Sequence, residues 1–405
     1  MSMQRRGHTA VPLASGELLV VGGYMFNDPS GSPLRAERYD PVTGTWSTVA
    51  DTLHWHAAED HGVLLPGGAV LIVGLEGEER YDPATDTWEN LPWPTGAAIS
   101  NSTVTQLADG DVLIAGGMMD LDAWGTAVRL DGVSLEIQVS QMNTARGYHS
   151  ASLLADGRVL VAGGQRFIDE LEQFESLALA ELYDPATNTW TTVAAMAEAR
   201  RGHRAVGLGD GRALVTGGLG ASSTEFYDPM TDTWTAGPSM TTARGGHTLT
   251  ALPSGWLLAV GGADGEVQAS VEAYDPATET WIPAPSLNQA RMDHTATYLP
   301  DVGVLVTGGG THRYNFNTGV ASAELYPLGG VAAGEVCLIP DECTSGLCSN
   351  GVCSEQEQDP GDPGDPGEPC HGCPFDADSD PQPANGALVV LVPGLLFLKR
   401  RRRSH

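Results

Sequence analysis

The chain has 405 residues, 41% of them hydrophobic, and a formal charge of −30 at pH 7. That length allows one large core with appendages. Without the five basic residues near the C-terminus, 16 Lys and Arg face 51 Asp and Glu, a balance of −35, which makes nucleic acid and anionic membrane surfaces poor partners. From the N-terminus, Arg5-x-x-His8 leads to the apolar run Leu18-Leu19-Val20-Val21, the pair Gly22-Gly23, then Tyr39-Asp40-Pro41 and Trp46. Short β-branched and apolar runs bounded by turn residues predict four strands in this unit: around His8 to Leu13, Leu18 to Val21, Ala36 to Tyr39 and Trp46 to Val49.

The unit recurs. Fourteen residues before a landmark glycine stands His8 (Gly22), His149 (Gly163), His203 (Gly217), His247 (Gly261) and His294 (Gly308), and three residues before each histidine stands Arg5, Arg146, Arg200, Arg244 or Arg291. At Gly74 and Gly116 the same count lands on Asp60 and Ser102. Tryptophans close the units at Trp46, Trp88, Trp190, Trp234 and Trp281. Asp-Gly at Asp109-Gly110, Asp156-Gly157 and Asp210-Gly211 predicts two-residue hairpins with both central residues at positive φ. The Asp-Pro-x-Thr strings predict tight reversals, with Gly44, Asp86, Asn188 and Asp232 in the left-handed position.

Successive landmark glycines lie 42 to 54 residues apart, close to the period of about 50 of kelch propeller blades. On these motifs the chain resembles the kelch-repeat family over roughly Met1 to Leu328. The resemblance implies an all-β, seven-bladed propeller like the central domain of galactose oxidase, but non-catalytic. Galactose-oxidase-like copper radical enzymes need a Tyr–Cys crosslink, and residues 1–336 hold no cysteine. Each blade buries its faces against its neighbours, so the tyrosines and tryptophans are expected between sheets. The repeat degrades in two places: Leu130 and Ile137 replace Tyr and Trp in the third unit, and the seventh has Tyr326-Pro327 but Ala333 at the tryptophan place. The last blade is therefore expected to be incomplete. Because Met1-Ser2-Met3 matches the linker before Arg-x-x-His elsewhere, the expectation is a true start farther upstream, with a Trp-bearing strand and a signal peptide. Closure by Gly330 to Val336 is the alternative.

All six cysteines follow residue 336. Cys337, Cys343, Cys348 and Cys353 form a compact run over 337–353 that reads as a two-disulfide knot of open connectivity, the spacing being poor for zinc. Disulfides imply an oxidising compartment. Residues 354–385, rich in Pro, Gly, Asp and Glu, read as a disordered spacer; Asp376, Asp378 and Asp380 resemble the start of a calcium loop, but Pro381 stands where glycine is needed. Over 386–405, a short apolar stretch, Ala387 to Leu398, precedes Lys399 and four arginines. At about 18 Å as a helix it is short for a bilayer core of about 30 Å. Cysteine, apolar stretch and arginine cluster resemble the MYXO-CTERM sorting signal of myxobacterial surface proteins, which implies processing near Cys370 or Cys373 and surface display. A tail anchor that holds the chain in the membrane before or instead of processing is the other reading.

Function is expected where the repeat fails. A residue recurring in five blades braces a blade more readily than it catalyses, since catalysis needs one asymmetric constellation. The loops after each glycine pair and those entering each Arg-x-x-His should share one face and differ between blades. They offer His54, Trp55, His56, Trp93, Trp124, His312, Arg313, Tyr314 and Phe316 as ligand-binding candidates. The longest, Gln165 to Ala180, has Phe167, Ile168, Leu171, Phe174 and Leu177 at helical spacing and predicts a short helix. The expected activity is binding of a glycan or another envelope protein outside the cell, with no metal and no cofactor. A carbohydrate-active enzyme resembling kelch-type sialic-acid mutarotases is the alternative.

Overall fold

The computed structural model describes residues 1–25, 34–56, 61–74, 76–91, 100–119, 121–168, 172–313 and 318–327, together with the short strands Cys348–Ser349 and Val352–Cys353. Cys348 is in register with Cys353 in that last pair. Cys337, Cys343, Cys370, Cys373, the acidic spacer, the apolar C-terminal segment and Ala333 lie outside the described residues.

Seven antiparallel sheets follow one another along the chain. Blade 1 is Thr9–Pro12, Leu18–Val21, Ala36–Asp40 and Thr45–Thr48, paired in that order. Five more four-stranded blades begin at His61–Leu64, Thr103–Gln106, Ser150–Leu153, Arg204–Gly207 and Thr248–Ala251. Blade 7 has three described strands, Thr295–Leu299, Gly303–Thr307 and Ala323–Pro327. The first strands of neighbouring blades touch all the way round, blade 7 on blade 1 included, so they line a central channel.

The second strand of each blade is a buried apolar run, as Leu18–Val21 and Val112–Ala115 show. A strand covered on both faces has no polar side to alternate with. Seven apolar clusters fill the seven gaps between blades. Between blades 1 and 2, Val11, Leu19 and Val21 meet Val70, Ile72, Tyr81 and Trp88; each such aliphatic side chain withdrawn from water contributes about 1.5–3 kcal/mol. The aromatics stack in cross-strand register, Tyr39 on Trp46 at 5.0 Å and Tyr81 on Trp88 at 4.7 Å. In blade 3 Leu130 and Ile137 hold the same register.

Two local expectations change. The Asp-Gly hairpins have three-residue loops. Leu107 accepts from Gly110 N and donates to Asp111 O, and only the glycine has positive φ (92°). This is a type I turn followed by a left-handed residue, and the aspartate carboxylate accepts from Asp111 N instead. The helix expected over Gln165 to Ala180 is a β-ribbon, Gln165–Ile168 paired with Gln173–Ser176, in which Phe167 faces Phe174. The Asp-Pro reversals form as expected, with Gly44, Asp86, Asn188 and Asp232 at φ of 51–67°.

Among the described residues a belt of backbone bonds ties blades 3, 4, 5, 6, 7 and 1 together where the chain enters their first strands. Tyr148 N donates to Asn101 O, Gly202 N to Tyr148 O, Gly246 N to Gly202 O, Asp293 N to Gly246 O and Gly7 N to Asp293 O, at 2.8–3.3 Å. The last of these joins blade 7 to blade 1. All six belt residues have positive φ, from 50° to 67°. Gly, Asn and Asp tolerate that conformation; for Tyr148, at 56°, it costs on the order of 1–2 kcal/mol.

Candidate functional site

The repeated arginines and histidines are spent inside the scaffold. Arg244 is buried, donates through Nη1 to Gly261 O and Ser270 O, and meets Glu272 on the third strand at 2.9 Å. Arg5 with Glu37, Arg146 with Glu181, Arg200 with Glu225 and Arg291 with Glu324 repeat the arrangement. Each arginine thereby ties the entry loop of its blade to the second and third strands of that blade. Each histidine is a wedge between blades. Gly163 lacks the Cβ that would collide with the ring of His203, and Nε2 of His203 lies 2.9 Å from Ser150 Oγ in the preceding blade. His8, His149, His247 and His294 likewise pair with hydroxyls of Thr295, Thr103, Thr216 and Thr248. Burial, reinforced by neighbouring arginines, pushes His8 and His203 down to about 3, and His149, His247 and His294 well below the ordinary histidine range. The wedges are neutral at pH 7.

Blade 2 solves the same problem differently. His56, a ligand candidate from the sequence, is fully buried, 3.4 Å from Glu79. Its carbonyl accepts from Gly23 N as those of Arg146 and Arg200 accept from Gly117 and Gly164. It stands in the place of the arginine and is not on the surface.

The entry loops share one face, as the alternation of strand direction requires. Arg5–Arg6 pairs with Tyr24–Met25, and bridges join Ser100 to Met118, Gly147 to Gln165, Gly245 to Ala263 and Met292 to Gly310. Part of the candidate set comes together there. Trp55 meets Tyr24 edge to face at 6.4 Å, and among the described residues its buried indole N–H has no hydrogen-bond partner. His54, beside it, reaches Asn90 Oδ1 at 3.2 Å. Tyr24 is in register with Arg6, whose guanidinium donates to His312 O and Arg313 O and pairs with Asp293 at 2.7 Å. Trp55, Tyr24, Arg6, His312 and Arg313 thus form a continuous strip over blades 2, 1 and 7, His312 being exposed. Trp124 sits apart, half-buried at the foot of the blade 3 ribbon, its backbone N–H donating to Gly117 O. Trp93, Tyr314 and Phe316 fall outside the described residues.

A second asymmetry was missed in the sequence. The first residue of each inner strand pairs with the last residue of the second strand, which puts Thr9, His61, Thr103, Ser150, Arg204, Thr248 and Thr295 in one layer of the channel wall. Five are hydroxyl residues; Arg204 and His61 are the exceptions. Arg204 is exposed, and its charge depresses His61, His203, His247 and His294 in blades 2, 5, 6 and 7. Only the channel interior lies close to all four. His61 opens partly to the channel, and desolvation first, then Arg204, pushes it down to about 4. The signal was available: both residues directly follow the repeat's histidine place. Among the described residues no three His, Cys, Asp or Glu are grouped to hold a metal ion.

The family model of the Kelch motif matches residues 5–52, 146–197 and 257–288, which take in blade 1, the arginine-to-tryptophan span of blade 4 and the outer three strands of blade 6. No curated protein matches the chain.

Proposed function

From a chain that carries Kelch repeats folded as a seven-bladed β-propeller, we propose a non-catalytic binding protein, exported and displayed at the cell surface, that holds a glycan or another envelope protein on its entry face. One observation carries this reading. The side chains that recur are buried and paired within the blades, whereas Tyr24, Trp55 and His312, which do not recur, lie along one face, linked beneath by the buried Arg6. A rigid scaffold presenting variable loops is the usual arrangement of a binding site. Surface display draws on the C-terminal arrangement of Cys370, Cys373, apolar stretch and arginine cluster, which resembles a sorting signal, and on the cysteine-rich run that suits an oxidising compartment.

The test is a glycan array together with a cell-adhesion assay on the chain and on a variant carrying Trp55→Ala, Trp124→Ala and Tyr314→Ala. Binding that the triple variant loses supports the reading; surface binding and adhesion unchanged in the variant overturn it. Arg204 and His61 favour a second reading, a carbohydrate-active enzyme resembling kelch-type sialic-acid mutarotases, because they bring a fixed cation and a neutral imidazole into one channel layer. Turnover on a panel of free sugars that Arg204→Gln abolishes would replace binding with catalysis.

A further inference from the structure

Large apolar side chains exposed to solvent are unevenly distributed. On the Asp-Pro turns they occur singly, Val42 and Met230 at the third place of the turn and Val133 at its counterpart in blade 3, and lone exposures of that kind are ordinary. On the entry face Met119, Leu121, Tyr148, Phe174 and Leu219 are exposed in three consecutive blades.

Backbone bonds and contacts join the segments that carry these five. The blade 3 ribbon, Met118–Met119 with Asp122–Ala123, contacts the blade 4 ribbon on which Phe174 stands 5.2 Å from Phe167. Met118 lies against Gly147, next to Tyr148. Tyr148 O accepts from Gly202 N, and the side chain of Leu219 lies over Gly202 and Gly245. The rim is acidic: Asp122, Glu172, Asp264 and Glu266 are exposed on the ribbons of blades 3, 4 and 6, while Arg166 on the blade 4 ribbon is paired with Glu175 at 2.9 Å and the half-buried Arg201 donates to Gln165 Oε1 at 2.7 Å.

Of the five only Tyr148 carries a hydroxyl, so a glycan seated across Met119, Leu121, Phe174 and Leu219 would lose water from most of its hydroxyls without replacement. Apolar side chains of a polypeptide lose nothing there. A second copy of this chain would oppose acid to acid. We propose that this surface docks a polypeptide segment of another protein that carries both cationic and apolar side chains, its Lys and Arg meeting the rim carboxylates and its apolar residues covering Leu121, Phe174 and Leu219. The proposal rests on the binding-propeller reading and selects a protein partner within it.

A random peptide library displayed on phage and panned against the full chain tests it. Enriched peptides are expected to be cationic and apolar. Leu121→Ser with Leu219→Ser should weaken them about tenfold or more, and a variant with Asp122→Asn, Glu172→Gln, Asp264→Asn and Glu266→Gln should weaken them and flatten their salt dependence. All six substitutions fall on exposed side chains, so unfolding midpoints should hold. No enrichment, neutral or acidic peptides, or affinities unchanged in both variants would overturn the proposal, as would a homodimer that the leucine substitutions dissociate. If the panning fails while the Trp55, Trp124 and Tyr314 substitutions still abolish glycan binding or adhesion, the binding-propeller reading stands without this surface; if both fail, both fall.

Discussion

Lowering the pH from 7 to 4 should unfold the propeller through its histidine wedges, and His203→Gln isolates one of them. His203 is 1% exposed, pairs with Ser150 Oγ and is held down to about 3 by burial and then by Arg200. In the unfolded chain its pKa returns to about 6.5. Between those two values the unfolded state binds a proton that the folded state refuses, so stability is full above about pH 6.5 and falls as the pH drops, by up to about 1.4 kcal/mol per pH unit for each such group. From pH 7 to pH 4 one histidine removes about 3 kcal/mol, and His8, also held at about 3, removes about as much. His149, His247 and His294 act in the same direction. Against a typical total of about 5–15 kcal/mol, two wedges alone consume much of the margin. Urea unfolding followed by tryptophan fluorescence at several pH values between 7.5 and 4.5 gives the slope of stability against pH. His203→Gln should be less stable at pH 7.5 and should lower that slope by about one proton's worth, up to about 1.4 kcal/mol per unit. A slope the same as that of the wild type, or wild-type stability flat from pH 7 to 5, would refute the assignment of a neutral buried imidazole.

The buried ion pairs and the bare glycines make contrasting predictions. Glu272 accepts from Arg244 Nε and Nη2, Thr241 N and Oγ1, and Thr242 N. Glu272→Gln leaves a buried guanidinium without its countercharge and should cost about 3 kcal/mol or more in urea unfolding, whereas Asp156→Asn at the exposed Arg158 pair should cost under about 1 kcal/mol. Equal costs would mean the repeated pair is no more structural than a surface one. Gly163 and Gly157 both have positive φ, 65° and 86°, but a Cβ at Gly163 would meet His203 and Arg200 O while one at Gly157 meets nothing. Gly157→Ala should cost about 1 kcal/mol of backbone strain. Gly163→Ala should cost at least about 2 kcal/mol more through overpacking, and similar unfolding midpoints for the two would remove the wedge contact from the account.

Most of the scaffold was legible because its determinants are local and repeated. The Asp-Pro-x-Thr strings specify a turn in four residues, and Asp86, Asn188 and Asp232 take the left-handed place it requires. What went wrong was register across a turn. Phe167 and Phe174 are seven apart, a separation that fits two helical turns equally well, yet here a reversal brings them face to face across two strands. The residue that replaces the arginine in blade 2 was missed for a related reason. A fixed count back from Gly74 lands on Ala57, and the chain uses His56, one residue earlier, against Glu79. Spacing arguments hold only while the intervening loop keeps its length. Arg204 and His61 were hidden differently: each sits in an ordinary strand pattern, and only the superposition of seven inner strands makes them exceptions.

That superposition also accounts for where the repeat can decay. Contacts join one blade to the next from axis to rim: the belt from Asn101 to Gly7, the histidine wedges, first- and second-strand apolar residues such as Leu18, Val20, Leu299 and Leu305, which meet between blades 7 and 1, and farther out Trp88 and Trp234, whose indoles donate to Ala50 O and Ala194 O of the preceding blade. The Tyr–Trp stack belongs to the third and fourth strands, farthest from the axis. Blade 3 fills that place with Leu130 and Ile137, which keep the strand register and pack in the apolar cluster between blades 2 and 3. The seam between blades 7 and 1 has every inner element, with Gly7 N on Asp293 O, His8 on Thr295 and Thr307, and Arg6 on Asp293. The ring thus closes at that seam through the same inner layers as at the four seams from blade 3 to blade 7, with three described strands in blade 7.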